Sequence, residues 1–243
     1  MLNTTRIAPR SYPLSGRLGR ACLTAGALLF LTGSLAESAP TAGSGLEGVA
    51  QVVDGDTVEI SGQRVRLEGM DAPESAQTCQ TASGEITACG RQATRALFEL
   101  IRNENIACES VGTDKYGRML GICFLDGEDI NRYMVESGNA WAFIKYSQRY
   151  VSEEAKARAA KIGIWQGPAI PAWEFRHSGW QVAEAAAPQG CAIKGNVSKH
   201  GKIYPLPWQL WYSNVKIDEA RGERWFCSEA EALAAGWRPA HPN

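Results

Sequence analysis

The chain has 243 residues, room for one domain of ordinary size and a small companion. Hydrophobic residues make up 44% and charged residues 21%, which excludes disorder over the whole length. With 25 basic and 26 acidic residues the formal net charge is −1, the wrong balance for gripping nucleic acid through a broad basic face. Any chemistry on phosphate must rest on a few placed cations.

Arg6, Arg10, Arg17 and Arg20 precede an apolar run from Ala21 to Leu35, and no acid occurs before Glu37. Ser34-Leu35-Ala36 then offers small residues at the two positions a signal peptidase reads. This pattern predicts a secretory signal over residues 1–36 and a secreted or periplasmic product, with no stable membrane partner after cleavage. The apolar run falls short of the about 20 residues that a membrane span wants, so an uncleaved anchor is the weaker reading. Cleavage leaves 21 basic against 26 acidic residues, a balance of −5. Residues 37–46 are small and polar and read as a flexible lead-in.

From Val49 the pattern turns strand-like. Val49, Gln51, Val53, then Val58 and Ile60, then Val65 and Leu67 alternate around the turn signals Asp54-Gly55 and Ser61-Gly62, which predicts three short antiparallel strands. A polar loop spans 75–89. Ala93, Ala96, Leu97, Leu100 and Ile101 recur at helical spacing within 90–102. Residues 106–110 and 119–125 read as two further strands. A helix is expected over 129–137, ended by Gly138, and another over 151–162, with Ser152 as candidate N-cap. The fold class expected is α+β, a five-stranded OB-like barrel with three helices. Pro168, Pro171, Pro188 and the run Ala185-Ala186-Ala187 mark 168–190 as a linker that few contacts should cross. An aromatic-rich unit follows over 191–243, with Ser228 and Glu231 at capping-box spacing.

Two carboxylate-bearing turns stand out, Asp54-Gly55-Asp56-Thr57 and the stretch from Arg66 to Glu74. Two Asp and one Glu brought together would offer oxygen ligands to a hard divalent cation. Arg66 and Arg118 could fork onto phosphate oxygens and stabilise charge on five-coordinate phosphorus. A carboxylate beside them could take a proton from attacking water. Each piece alone is commonplace: an Asp-Gly turn is usually just a hairpin, and an Arg on a strand edge usually lies on a solvated face. Their order and combination are specific.

Residues 47–165 resemble the staphylococcal nuclease (thermonuclease) family, through VVDGDTVEI (52–60), VRLEGMDAPE (65–74), GTDKYGRMLG (112–121) and KIGIW (161–165). The resemblance implies a nuclease domain over 47–167 that hydrolyses DNA and RNA with Ca2+. It implies that Asp56, Asp71 and the Ala72 backbone carbonyl hold the metal. Glu74 would be the general base, Arg66 and Arg118 the phosphate-binding pair, and Tyr116 part of the nucleotide pocket, with Tyr146 a looser second match. The loop 75–89 departs from the founding member, carrying Cys79 and Cys89 and few lysines. The alternative is a non-catalytic binding module at the cell envelope, but a degenerate domain would be expected to have lost part of this set.

Seven cysteines are present, and six remain after residue 36, an even count that suits disulfides in an exported chain. Cys79 and Cys89 share one loop. Cys108 and Cys123 fall on neighbouring strands, as a bridge or as two buried thiols. Cys191 and Cys227 bracket the C-terminal unit, as a bridge or as half of a zinc site with His200 and His241. That unit resembles a small module appended to many bacterial nuclease-like and envelope proteins, whose pattern commonly has His where Pro205 stands. A binding or stabilising appendage is the expectation.

Overall fold

The computed structural model describes residues 45–240, so the stretch 1–36 expected to be a signal and His241 lie outside the described residues. Five strands make the barrel: β1 (Leu46–Asp54), β2 (Thr57–Ile60), β3 (Gln63–Leu67), β4 (Asn105–Thr113) and β5 (Met119–Leu125). Neighbours pair antiparallel in the order β3-β2-β1-β4-β5, and β3 then pairs parallel with β5 to close the ring. Closure leaves the main strands without a free edge. The fold is the α+β, OB-like barrel expected from the strand pattern.

Alternation decides which side chains fill it. Ala50, Val58, Ile60, Val65, Leu67 and Ile106 point inward and are almost fully buried. Helix α1 (Cys89–Ile101) lays Ala93, Leu97 and Ile101 on them, and α2 (Ile130–Glu136) adds Ile130 and Met134. Burial of each such large apolar side chain contributes about 1.5–3 kcal/mol. Asn131, fully buried, accepts from the Cys123 amide at 3.2 Å and donates to the Glu68 and Gly121 carbonyls at 2.9 and 3.0 Å. It thereby ties the loop after β3 to β5.

Helix α3 (Val151–Ala160) starts one residue before the candidate cap Ser152. Tyr150 occupies the cap position, because its ring is buried in the core and its hydroxyl donates to Asp129 Oδ2 at 3.0 Å. Ser152 lies inside the first turn, its hydroxyl on Glu153 at 2.8 Å.

The stretch read as a linker is mostly helix: α4 spans Ala172–Ala186. Pro171 sits at its N-cap, where a missing N–H costs nothing, so this proline admits the helix instead of breaking it. Trp173 stacks on Phe143 at 5.6 Å and meets Trp141 edge-on at 6.2 Å. One turn pair later, Trp180 meets Trp208 edge-on at 5.9 Å.

The C-terminal unit is a small sheet of β6 (Ile193–Ser198), β7 (Gly201–Tyr204), β8 (Arg224–Phe226) and β9 (Arg238–Pro239), with helix α5 (Glu229–Ala234). Ile193, Tyr204, Leu206, Phe226, Ala232 and Trp237 form its core, and Trp180 of α4 packs against it. Ser228 caps α5, accepting from the Glu231 amide at 3.1 Å, while Glu231 reaches back to the Cys227 amide at 2.9 Å. The structure contains the disulfides Cys79–Cys89, Cys108–Cys123 and Cys191–Cys227. The last one occupies the thiols that a zinc site would need. The described residues 45–240 fall within one compact unit.

Candidate active site

Arg66 lies in the middle of β3, opposite Thr57 of β2 and Leu120 of β5. Its neighbours Val65 and Leu67 enter the core, so alternation sends Arg66 to the other face. There its Nη1 donates to Asp56 Oδ1 at 2.8 Å and its Nη2 to Asp71 Oδ1 at 2.7 Å. One guanidinium thus bridges the two turns that the sequence singled out.

Each carboxylate is positioned by local backbone. The register of β1 on β2 shifts between Val52 and Asp54, a bulge that turns the Asp54–Asp56 segment. Asp56 is 5% exposed; its Oδ1 accepts from the Thr57 hydroxyl at 3.0 Å and its Oδ2 from the Ala72 amide at 3.4 Å. Asp71 is fully buried, on a two-residue strand, Met70–Asp71, paired with Trp141–Ala142. The Glu74 amide donates to Gln77 Oε1 at 3.2 Å, and its carbonyl accepts from the Gln77 amide at 2.7 Å. Gly90 of α1 passes so close that a Cβ there would run into the Glu74 carbonyl, so only glycine fits.

A residue outside the expected set completes the cluster. Arg176, on α4 and 19% exposed, donates through Nη2 to Asp71 Oδ2 at 2.8 Å. Its Nη1 reaches Glu74 Oε1 at 2.7 Å and Asp71 Oδ1 at 3.1 Å. Asp54 also faces the group, taking the Asp56 amide at 3.1 Å.

The electrostatics follow from this crowding. Burial, with Asp56 and Glu74 close by, pushes the Asp54 carboxyl up to about 8. Burial works to raise Asp56 too, but Arg66, Arg118 and Arg176 outweigh it and hold the group below the ordinary carboxylate range. Burial raises Glu74 above that range, with Arg176 opposing. For Arg66, Asp56 and Asp71 overcome burial and keep the guanidinium firmly charged.

Of the remaining expected residues, Arg118 stands beside the cluster without touching its carboxylates. Asp114 accepts from the Arg118 amide at 2.9 Å and from its Nε at 2.7 Å. Tyr116 turns toward the C-terminal unit: its hydroxyl donates to Glu229 Oε1 at 2.8 Å, beside the Lys115 ammonium at 3.1 Å. Tyr146 is 70% exposed, edge-on to Phe143 at 5.0 Å, and no hydrogen bond or ion pair joins it to the cluster among the described residues. Sequence reasoning missed Arg176, Gln77 and Glu229. A signal for the first exists: Ala172, Arg176, Gly179 and Ala183 fall on one helical stripe, an arginine among small residues.

Residues 64–167 match the family model described as staphylococcal nuclease homologue. The chain is 39% identical over 164 residues to the succinoglycan biosynthesis protein ExoI of Rhizobium meliloti (strain 1021), covering 65% of this chain and 83% of the relative. It is 33% identical over 137 residues to an uncharacterized endonuclease of Escherichia coli O157:H7, covering 53% of this chain and 83% of that protein. To a micrococcal nuclease of Shigella flexneri it is 30% identical over 148 residues, covering 54% and 79% respectively. With its barrel, its carboxylate–guanidinium cluster and these relatives, the chain belongs to the staphylococcal nuclease homologue family.

Proposed function

We propose that this chain is an exported, Ca2+-dependent nuclease that hydrolyses phosphodiester bonds of DNA and RNA. The observation that carries the reading is the convergence of Asp56, Asp71 and Glu74 with Arg66 in one largely buried cluster, on a fold whose relatives include proteins named endonuclease and micrococcal nuclease.

Glu74 is the base. Its Oε1 is held by Arg176, which leaves Oε2 to take a proton from water. Arg66 and Arg118 supply positive charge for the oxygens of the attacked phosphate, where negative charge grows as phosphorus becomes five-coordinate. Asp114 fixes Arg118 through two bonds, which limits what that side chain must lose on engaging phosphate.

The donor chemistry fits a hard cation. The cluster offers oxygen alone, and its carboxylates already draw the cationic guanidinium of Arg66 between Asp56 and Asp71. Asp56, Asp71 and the Ala72 carbonyl would hold the ion. No three His, Cys, Asp or Glu side chains form a metal cluster among the described residues. The set invoked needs only two carboxylates and a main-chain oxygen. Bound Ca2+ would add positive charge at the phosphate.

Three disulfides suit an oxidising compartment and support export. No helix among the described residues is long and apolar enough to cross a membrane. The test is cleavage of single-stranded DNA and RNA by the refolded chain, with Ca2+ and with excess chelator. Ca2+-dependent cutting is expected, and undiminished cutting in chelator would sink the metal assignment.

A further inference from the structure

We propose that Arg176, from the helix beyond the family-matched segment, is a positioning residue of the hydrolytic site, holding Glu74 in place against Asp71. The inference rests on the nuclease reading and extends it to a residue outside 64–167.

Three observations carry it. The fork of Arg176 spans two carboxylates, with Nη1 shared between Asp71 and Glu74 and Nη2 on Asp71 alone. Bidentate pairing fixes both distance and plane, which a point charge on a flexible stem would not do. Arg176 is also the sole hydrogen-bond donor to the Glu74 carboxylate among the described residues. Without it the side chain keeps its backbone anchors but has nothing to set its carboxylate orientation. Finally, the helix that delivers Arg176 is built into the barrel's surroundings. Ala172 is fully buried, Trp173 stacks on Phe143, and Gln77 Nε2 donates to the Ile170 carbonyl just ahead of the helix. Gln77 also receives the Glu74 amide, so one buried side chain links the base's turn to the start of α4.

A salt bridge that served only stability would shift the melting transition and leave the kcat of the folded chain unchanged. A positioning residue lowers kcat, and only while Glu74 is present to be positioned. The experiment measures kcat and KM of the full chain on a single-stranded DNA oligonucleotide with Ca2+, with a melting curve for every variant. Arg176→Ala and Arg176→Lys are made in the natural background and in Glu74→Ala. Arg176→Ala is expected to lower kcat by about tenfold to hundredfold, the scale of a small misplacement of a reacting group, with little change in KM. Arg176→Lys should recover part of that loss. In Glu74→Ala the same substitutions should cost less than about twofold. Equal factors in both backgrounds, a change in KM alone, or an unchanged kcat would overturn the assignment. If Arg176→Ala loses its melting transition, the Arg176→Lys comparison between backgrounds decides by the same criterion. A natural chain that cuts nothing would instead overturn the nuclease reading beneath it, a different and separable result.

Discussion

The barrel face and the segment after Gly167 reach the same cluster by different routes. On the barrel, Arg66, Asp56 and Asp71 come from strands and tight turns separated by a few residues, and their geometry follows from strand register. On the other side, Arg176 arrives from a helix about a hundred residues downstream of its partners Asp71 and Glu74. Local chemistry specifies the first half of the site; tertiary packing of two tryptophans and a buried alanine specifies the second. The carboxylate–guanidinium cluster therefore extends beyond the family-matched segment. The helix that follows it adds the guanidinium of Arg176 to the carboxylate group.

The largest expected effect lies on the barrel side. Arg66→Ala and Arg118→Ala should each lower the cleavage rate by about two orders of magnitude or more, the scale of losing one charge-stabilising group. If either stays near the natural rate in a cleavage assay, its phosphate role is wrong. Next comes the downstream side as a whole. Ending the chain after Gly167 removes Arg176, the Ile170 carbonyl that takes Gln77, and the Trp173 ring on Phe143. The truncated chain should melt earlier and cut short oligonucleotides at least about tenfold more slowly. Full activity after that truncation would show that α4 only decorates the barrel.

The contrast between the two regions also explains what the sequence made legible. Val58, Ile60, Val65 and Leu67 alternate between clear turn signals, so the hairpins and the placement of Arg66 could be read directly. The Asp56 turn could be read for the same reason, whereas Asp71, on a two-residue strand paired with Trp141–Ala142, stands out in the sequence only within the Arg66–Glu74 stretch and through the resemblance. Helix α4 was obscured by Pro168, Pro171 and Pro188, which flank it and read as breakers, although the middle one sits where a helix accepts it. Arg176 was invisible as a site residue because nothing in its spacing names its partners; only the stripe of small residues around it hints at burial. The resemblance implies a nucleotide-pocket place for Tyr116, and no sequence signal reveals that Glu229 meets its hydroxyl. Ser152 looked like a cap, and the burial of Tyr150 moved the helix start past it.

Smaller effects sharpen the comparison. The Cys79–Cys89 bridge closes the loop that follows Glu74 and leads into Gly90 of α1. Replacing both cysteines by serine should cost about 2–5 kcal/mol of stability, read from denaturant or thermal unfolding, and should disturb the site more than replacing Cys191 and Cys227. Equal loss of activity from the two pairs would remove the distinction. The smallest effect belongs to the contact between the C-terminal unit and the barrel. Lys115 is exposed, so removing its pair with Glu229 through Lys115→Ala should change stability by no more than about 1 kcal/mol.

In the proposed reaction the largely buried group of carboxylates and guanidiniums on the barrel performs hydrolysis, with Glu74 as base. The most direct measurement is the single-turnover cleavage rate of a single-stranded DNA oligonucleotide by the natural chain and by Glu74→Gln, in Ca2+, with matched melting curves. Glu74→Gln keeps the shape and the acceptor that faces Arg176 but cannot take a proton, so the rate should fall by about two orders of magnitude or more while the chain stays folded. A folded Glu74→Gln that cuts at the natural rate would contradict the account.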